Sequence, residues 1–140
     1  MKSLLATLLA AGALLAAPAL QAQTAQKVSL ATDAKAYRVD GARAIYATFP
    51  DRIYKGKLPP LIHAIVVLEV ELEADGKVHD VHMIRVPTHA PDVTARVRAL
   101  IQHASPMPVP AKLGATRFTE IWLVDKSGRF QLDTLTEGQL

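Results

Sequence analysis

His79-Asp80-Val81-His82 places two imidazoles and a carboxylate within four positions. Imidazole with carboxylate is the donor set of zinc sites and of proton transfer. On an extended strand, residues three apart point to opposite faces. The two histidines therefore meet on one ion only if a bulge re-aims one of them. His63, His89 and His103 belong to other segments and have none of the usual ligand spacings. Glu69, Glu71 and Glu73 share one face of an alternating stretch and look like paired carboxylates. A row of acids on a wet sheet face is far more often a solubility device. The chain has no cysteine, which removes thiolate and disulfide chemistry. It has no Gly-x-Ser-x-Gly elbow and no glycine-rich phosphate loop. Arg85, Arg96 and Arg98 read as scattered charges on a strand end and a helix surface. No catalytic, cofactor-binding or metal-binding residue is assigned, so the reading is a non-enzyme without a cofactor.

The elements that position these residues are legible from pattern. Met1-Lys2-Ser3, an uncharged run from Leu4 to Ala17, Pro18 and then small residues fit a secretory signal peptide over residues 1–22. Cleavage after Ala22 and cleavage after Ala19 both satisfy the small-x-small rule, and an uncleaved anchor is the alternative, although the run is short for a membrane span. Export to the periplasm of a Gram-negative bacterium follows. Losing Lys2 with the signal leaves 15 basic residues against 13 acidic ones. That balance excludes a nucleic-acid surface. An exported domain without cysteine must hold itself together by its core.

Residues 23–40 have no clean period and read as a flexible lead-in. From Gly41 to Tyr54, Ala42, Ile45, Tyr46 and Phe49 have helical spacing, and Lys55 to Pro60 is a loop. From Ile65 to Ala74, Val66, Leu68, Val70 and Leu72 alternate with Val67, Glu69, Glu71 and Glu73, the mark of a half-solvated antiparallel strand. Asp75-Gly76 supplies a tight turn. The strand that follows, to about Val86, slips its alternation between Val78 and Val81, which predicts a bulge. Pro91 and Asp92 open a helix with Val93, Val97, Leu100 and Ile101 on one face. Ser105-Pro106-Met107-Pro108-Val109-Pro110 then forms a fixed extended crossover. A third strand covers Arg117 to Asp125, with Ile121 and Leu123 on one face and Phe118, Trp122 and Val124 partly on the other. Lys126-Ser127-Gly128 turns into Arg129 to Leu132, and residues 135–140 form a disordered tail. The fold class is α+β, a three- to four-stranded antiparallel sheet packed against two helices, with one domain over residues 41–134. An open sheet edge accepts an extended peptide or a second copy of the chain.

Several features occur in a fixed order over residues 45–125. They are Phe49-Pro50, Val66-x-Leu68-x-Val70-x-Leu72, Asp75-Gly76-Lys77-Val78, Val81-x-Met83, an amphipathic helix, Pro106-x-Pro108, Gly114 and a last strand. The set resembles the C-terminal domain of the TonB family of periplasmic energy transducers. The resemblance implies a three-stranded antiparallel sheet with two helices. It also implies contact with a short outer-membrane receptor peptide by strand addition, and no cofactor or active site. Carried over by position, the protein-binding residues are Phe49 and Pro50, with Phe118, Glu120, Trp122 and Val124 on the receptor-binding strand. Phe49 stands where the family has Tyr, and Ala64 where it has Gly. The segment from Asp125 to Asp133 runs past the family's usual end, and folded back as a hairpin it would cover that edge. Two functional readings follow. One is a TonB-like interaction module that touches an outer-membrane receptor peptide or another periplasmic protein. The other is a stand-alone periplasmic domain that binds a protein or small ligand without energy transduction. Homodimerisation through an open edge is compatible with either.

Overall fold

The structure is a computed structural model that describes residues 26–140. The signal-peptide reading and the first residues of the lead-in lie outside the described residues. The central element is an antiparallel sheet of four strands in the order β3-β2-β5-β6. Its strands are β2 (Ala64–Leu72), β3 (Val78–Arg85), β5 (Thr116–Val124) and β6 (Phe130–Leu132). A two-residue parallel pair joins β1 (Val28–Ser29) to β4 (Val109–Pro110). Two helices, α1 (Ala34–Thr48) and α2 (Pro91–Ala104), contribute to the same core as the sheet. No helix among the described residues is long and apolar enough to cross a membrane.

Alternation on β2 does what its pattern predicts. Ala64, Val66, Leu68, Val70 and Leu72 are buried, and the intervening residues are half-buried on the outer face. The register of β5 then follows from β2, because Val66 pairs with Trp122, Leu68 with Glu120 and Val70 with Phe118. Residues directly opposite one another share a face. The core-facing set of β5 is therefore Phe118, Glu120, Trp122 and Val124. Ile121 and Leu123 lie on the outer face, where they pair with Val67 and Ile65. The predicted bulge is present: Glu71 pairs with Asp80 and Leu72 with Val78, which leaves His79 without a partner on β2.

Helix α1 starts seven residues before the Gly41 expected from sequence. Asp33 caps it, its carboxylate accepting from the Ala36 amide at 2.7 Å. Tyr37, Gly41, Ala42 and Ile45 form the buried stripe. The early turn escaped sequence reading because Tyr37 is its only large buried side chain. At Gly41, α1 packs against β5, and a Cβ there would meet the Phe118 ring at 3.4 Å, in ordinary van der Waals contact. The helix ends at Thr48, and Pro50 opens a separate 3₁₀ turn, Pro50–Arg52. With β1 paired to β4, much of the expected lead-in is structured.

The proline crossover is fastened at both ends. Met107 is buried and donates its amide to Gly76 O at 2.8 Å, the Tyr37 hydroxyl donates to Pro108 O at 2.7 Å, and Val109 donates to Lys27 O. Gly76 has φ +89, and a Cβ there would lie 2.3 Å from Met107 O, so both the turn and the crossover demand glycine. The C-terminal residues expected to be disordered are docked as well. Leu58 and Gln139 form a parallel bridge, and Leu140 donates to Leu58 O at 2.9 Å.

Candidate functional site

An open sheet has two edges, and each exposes unpaired backbone groups unless something covers it. Here the β6 edge is closed. The Tyr54 amide donates to Phe130 O at 2.9 Å, and the Leu132 amide donates to the Tyr46 hydroxyl at 3.0 Å. Gln131, wholly buried between them, is a clamp. Its amide nitrogen donates to Tyr54 O and Gly56 O, and its oxygen accepts from the Thr136 hydroxyl and the Glu137 amide. One side chain thus ties the loop after the 3₁₀ turn to the C-terminal segment. The β3 edge is guarded at its middle. The Val81 amide donates to Asp80 Oδ1 at 2.8 Å, and Arg98 from α2 donates to Val81 O at 3.0 Å.

The remaining gap lies within β5. Strand β6 pairs only with Trp122, Leu123 and Val124, while β5 begins at Thr116. A 3₁₀ turn, Asp133–Leu135, continues from β6 and reaches Glu120 through the Thr134 hydroxyl. Among the described residues, nothing hydrogen-bonds the outward backbone of Thr116 to Thr119. Beside this stretch lies a cleft of about 230 Å³, lined by Lys35 and Arg38 of α1 and by Glu69, Arg117, Phe118 and Thr119.

The sequence-derived binding residues do not form one surface. Phe118, Glu120, Trp122 and Val124 are all buried, so their side chains build the core and only their backbone could meet a partner. The hairpin segment past Asp125 does fold back, and β6 occupies the edge of β5 at Trp122 and Val124. Phe49 is half-buried against the His103 ring at 5.9 Å, and Pro50 is exposed. Both follow the C-terminus of α1. The open part of β5 lies beside Ala34 to Arg38 at the helix's other end, about 20 Å away at 1.5 Å per residue.

Glu120 is a buried carboxylate with its charge answered. Arg38 Nη2 lies 3.0 Å from Oε1, the Thr134 hydroxyl donates to Oε2 at 2.8 Å, and the Ile121 amide donates to Oε1 at 2.9 Å. These contacts fix it in a buried ion pair. Trp122 packs against Phe130 with ring centroids 4.4 Å apart and planes tilted by 39°, its indole N–H buried and unpartnered among the described residues. Burial, with a smaller push from Asp40, raises the Tyr37 hydroxyl far above the usual phenol range.

Two of the histidines face acids, and His82 lies 3.7 Å from Asp80 Oδ2 as well as beside Glu71. His82 Nε2 lies 3.1 Å from Glu71 Oε2, and His79 Nδ1 3.6 Å from Glu73 Oε1. Among the described residues no three histidine or carboxylate groups are arranged to hold a metal. The arginines read as scattered are not equivalent. Arg98 guards β3, whereas Arg96 joins Arg52 and Arg129 around one cleft. Sequence reading missed this gathering because the three come from different elements. No family model matches the chain, and no curated protein or solved structure matches it.

Proposed function

We propose that this chain is a periplasmic protein-interaction module of the TonB C-terminal kind, and that it takes an extended peptide along the uncovered first half of β5. One observation carries the reading: β5 is nine residues long, but β6 covers only its last three. The uncovered backbone from Thr116 to Thr119 is a template for strand addition. Lys35, exposed and with no carboxylate within ion-pair distance among the described residues, lines the adjoining cleft beside the Arg38–Glu120 and Arg117–Glu69 pairs, which favours a peptide with an acidic side chain, such as one presented by an outer-membrane receptor. The ordered motifs from Phe49-Pro50 to the last strand support the family side of the reading.

The covering of Trp122 to Val124 by β6 favours a second reading. A stand-alone domain of the same fold would hide the edge that an energy transducer offers to its receptor, and would bind another protein without transmitting energy. Titration of ¹⁵N-labelled protein with receptor-derived and unrelated acidic peptides separates the two. Amide shifts at residues 116–119 with the receptor peptide alone support the transducer reading, and shifts with any acidic peptide support the second. Absence of shifts at 116–119 at millimolar peptide would sink both.

A further inference from the structure

Two clefts meet below the end of α1. One, of about 460 Å³, is lined by Asp51, Arg52, Arg96, Ser127, Gly128 and Arg129. The other, of about 370 Å³, shares Asp51 and Arg129 and adds Lys55. Three separate elements supply the cations: the 3₁₀ turn gives Arg52, α2 gives Arg96 and the β5–β6 turn gives Arg129. All three line the larger cleft, and Arg96 reaches the β5–β6 turn, where a Cβ built on Gly128 would sit 3.0 Å from its Nη1. The nearby acids do not neutralise the group. Asp51 is the only carboxylate on either wall. Asp92 touches Arg96 at 3.6 Å from an exposed position. Asp125 already accepts from the Ser127 amide at 3.0 Å. Among the described residues, Arg52 and Arg129 have no carboxylate within ion-pair distance. Guanidinium is the side chain whose planar fork matches phosphate or carboxylate oxygens two at a time. A cluster of like charges that repel one another is stable in isolation only because water screens it, and an anion with several oxygens relieves the repulsion.

We propose that this double cleft is an anion site for a phosphate-bearing polyanion, either free or as a lipid headgroup. It is independent of strand addition at β5, which lies at the other end of α1.

Calorimetric titration with inorganic pyrophosphate at low salt, and co-sedimentation with phosphatidylglycerol or phosphatidylcholine vesicles, test it on the purified chain. Arg52→Ala, Arg96→Ala and Arg129→Ala should each weaken binding about tenfold, the loss expected of one charge-assisted contact. Arg43→Ala, an exposed arginine of α1, should leave binding unchanged. Lysine replacements at the three positions keep the charge but lose the fork and should fall between, which also covers any alanine variant that fails to fold. Pyrophosphate binding identifies a free ligand, and binding to phosphatidylglycerol vesicles alone identifies a headgroup. The proposal is overturned by any of three results. These are no binding to either probe at millimolar pyrophosphate, equal loss in Arg43→Ala, or citrate binding as tightly as pyrophosphate.

Discussion

Glu120 is the only acidic residue that the core encloses completely, and Arg38 reaches it from α1 with a side chain that is 28% exposed. Replacing Arg38 by Met keeps most of the aliphatic stem and removes the charge. Breaking a fully buried ion pair costs on the order of 3–5 kcal/mol, because one charge is left without compensation. Two facts lower that figure here. The guanidinium is partly wet, and Thr134 and Ile121 still donate to the carboxylate. The expected cost of Arg38→Met is therefore about 2–3 kcal/mol. Glu120→Gln should cost less, about 1–2 kcal/mol, because it removes the charge but keeps an acceptor for Thr134. In the double variant the penalty for an unpaired carboxylate disappears, so the two changes should couple by about 1–2 kcal/mol in the stabilising direction. Trp122 is the single tryptophan and is fully buried beside Phe130, so its fluorescence reports urea unfolding directly. An Arg38→Met cost below about 1 kcal/mol, or strict additivity in the double variant, would refute the reasoning; a changed denaturant slope would mean that the unfolded state had shifted instead.

Three further outcomes follow from the packing. Tyr37→Phe removes the donor to Pro108 O and should cost about 1–2 kcal/mol at neutral pH. Because burial raises the Tyr37 hydroxyl above its ordinary value of 10.0, its contribution is fully present below pH 10 and is lost as pH rises further. The wild type should thus lose stability in alkali more steeply than the variant, and parallel alkaline melts would count against this. Gly76→Ala forces a side chain into a left-handed turn and against Met107 O, for about 2–4 kcal/mol by chemical denaturation; a loss under 1 kcal/mol would mean that the crossover moves freely. Deleting residues 126–140 uncovers β5 along Trp122 to Val124 and strips Phe130 from the indole, so tryptophan emission should shift to the red and the chain should dimerise with concentration, whereas a truncated chain that stays monomeric in sedimentation argues against the covering role of β6.

The contrast between α1 and α2 shows what pattern alone reveals. Helix α2 carries Val93, Val97, Leu100 and Ile101 on one stripe after a proline start, so its limits and face are written locally. The first two turns of α1 bury only Tyr37, and their helicity depends on the Asp33 cap and on Phe118 across the sheet. The same distinction holds for strands. Nine alternating residues define β2, and a strand flanked on both sides inherits its face from that neighbour. Hence Trp122 and Glu120 point inward although their local sequence offers Ile121 and Leu123 as better core candidates. The docked tail, the Gln131 clamp and the arginine cleft depend on residues some 40 to 80 positions apart in the chain. No local periodicity encodes such meetings.

The length of the open edge constrains what it can bind. Successive residues of a strand send their backbone groups to alternate sides. Four residues, Thr116 to Thr119, therefore offer an incoming peptide about four backbone hydrogen bonds. At a net gain of about 1 kcal/mol each, that supplies on the order of 4 kcal/mol, equivalent to millimolar affinity before the cost of ordering the peptide. Lys35 adds steering and a modest further gain, since it is exposed, whereas Arg38 and Arg117 already face Glu120 and Glu69. On the proposed strand-addition reading a free peptide should therefore bind weakly, and a partner tethered at high local concentration should bind better. Strand β6 is what sets this limit. Were it to detach, the edge would lengthen to the nine residues of β5, with more than twice the number of hydrogen bonds. Its detachment is opposed by the Gln131 clamp, by Tyr46 and by the Trp122–Phe130 contact. Capture on the long edge thus wins only if its added hydrogen bonds outweigh the energy that holds three residues in place.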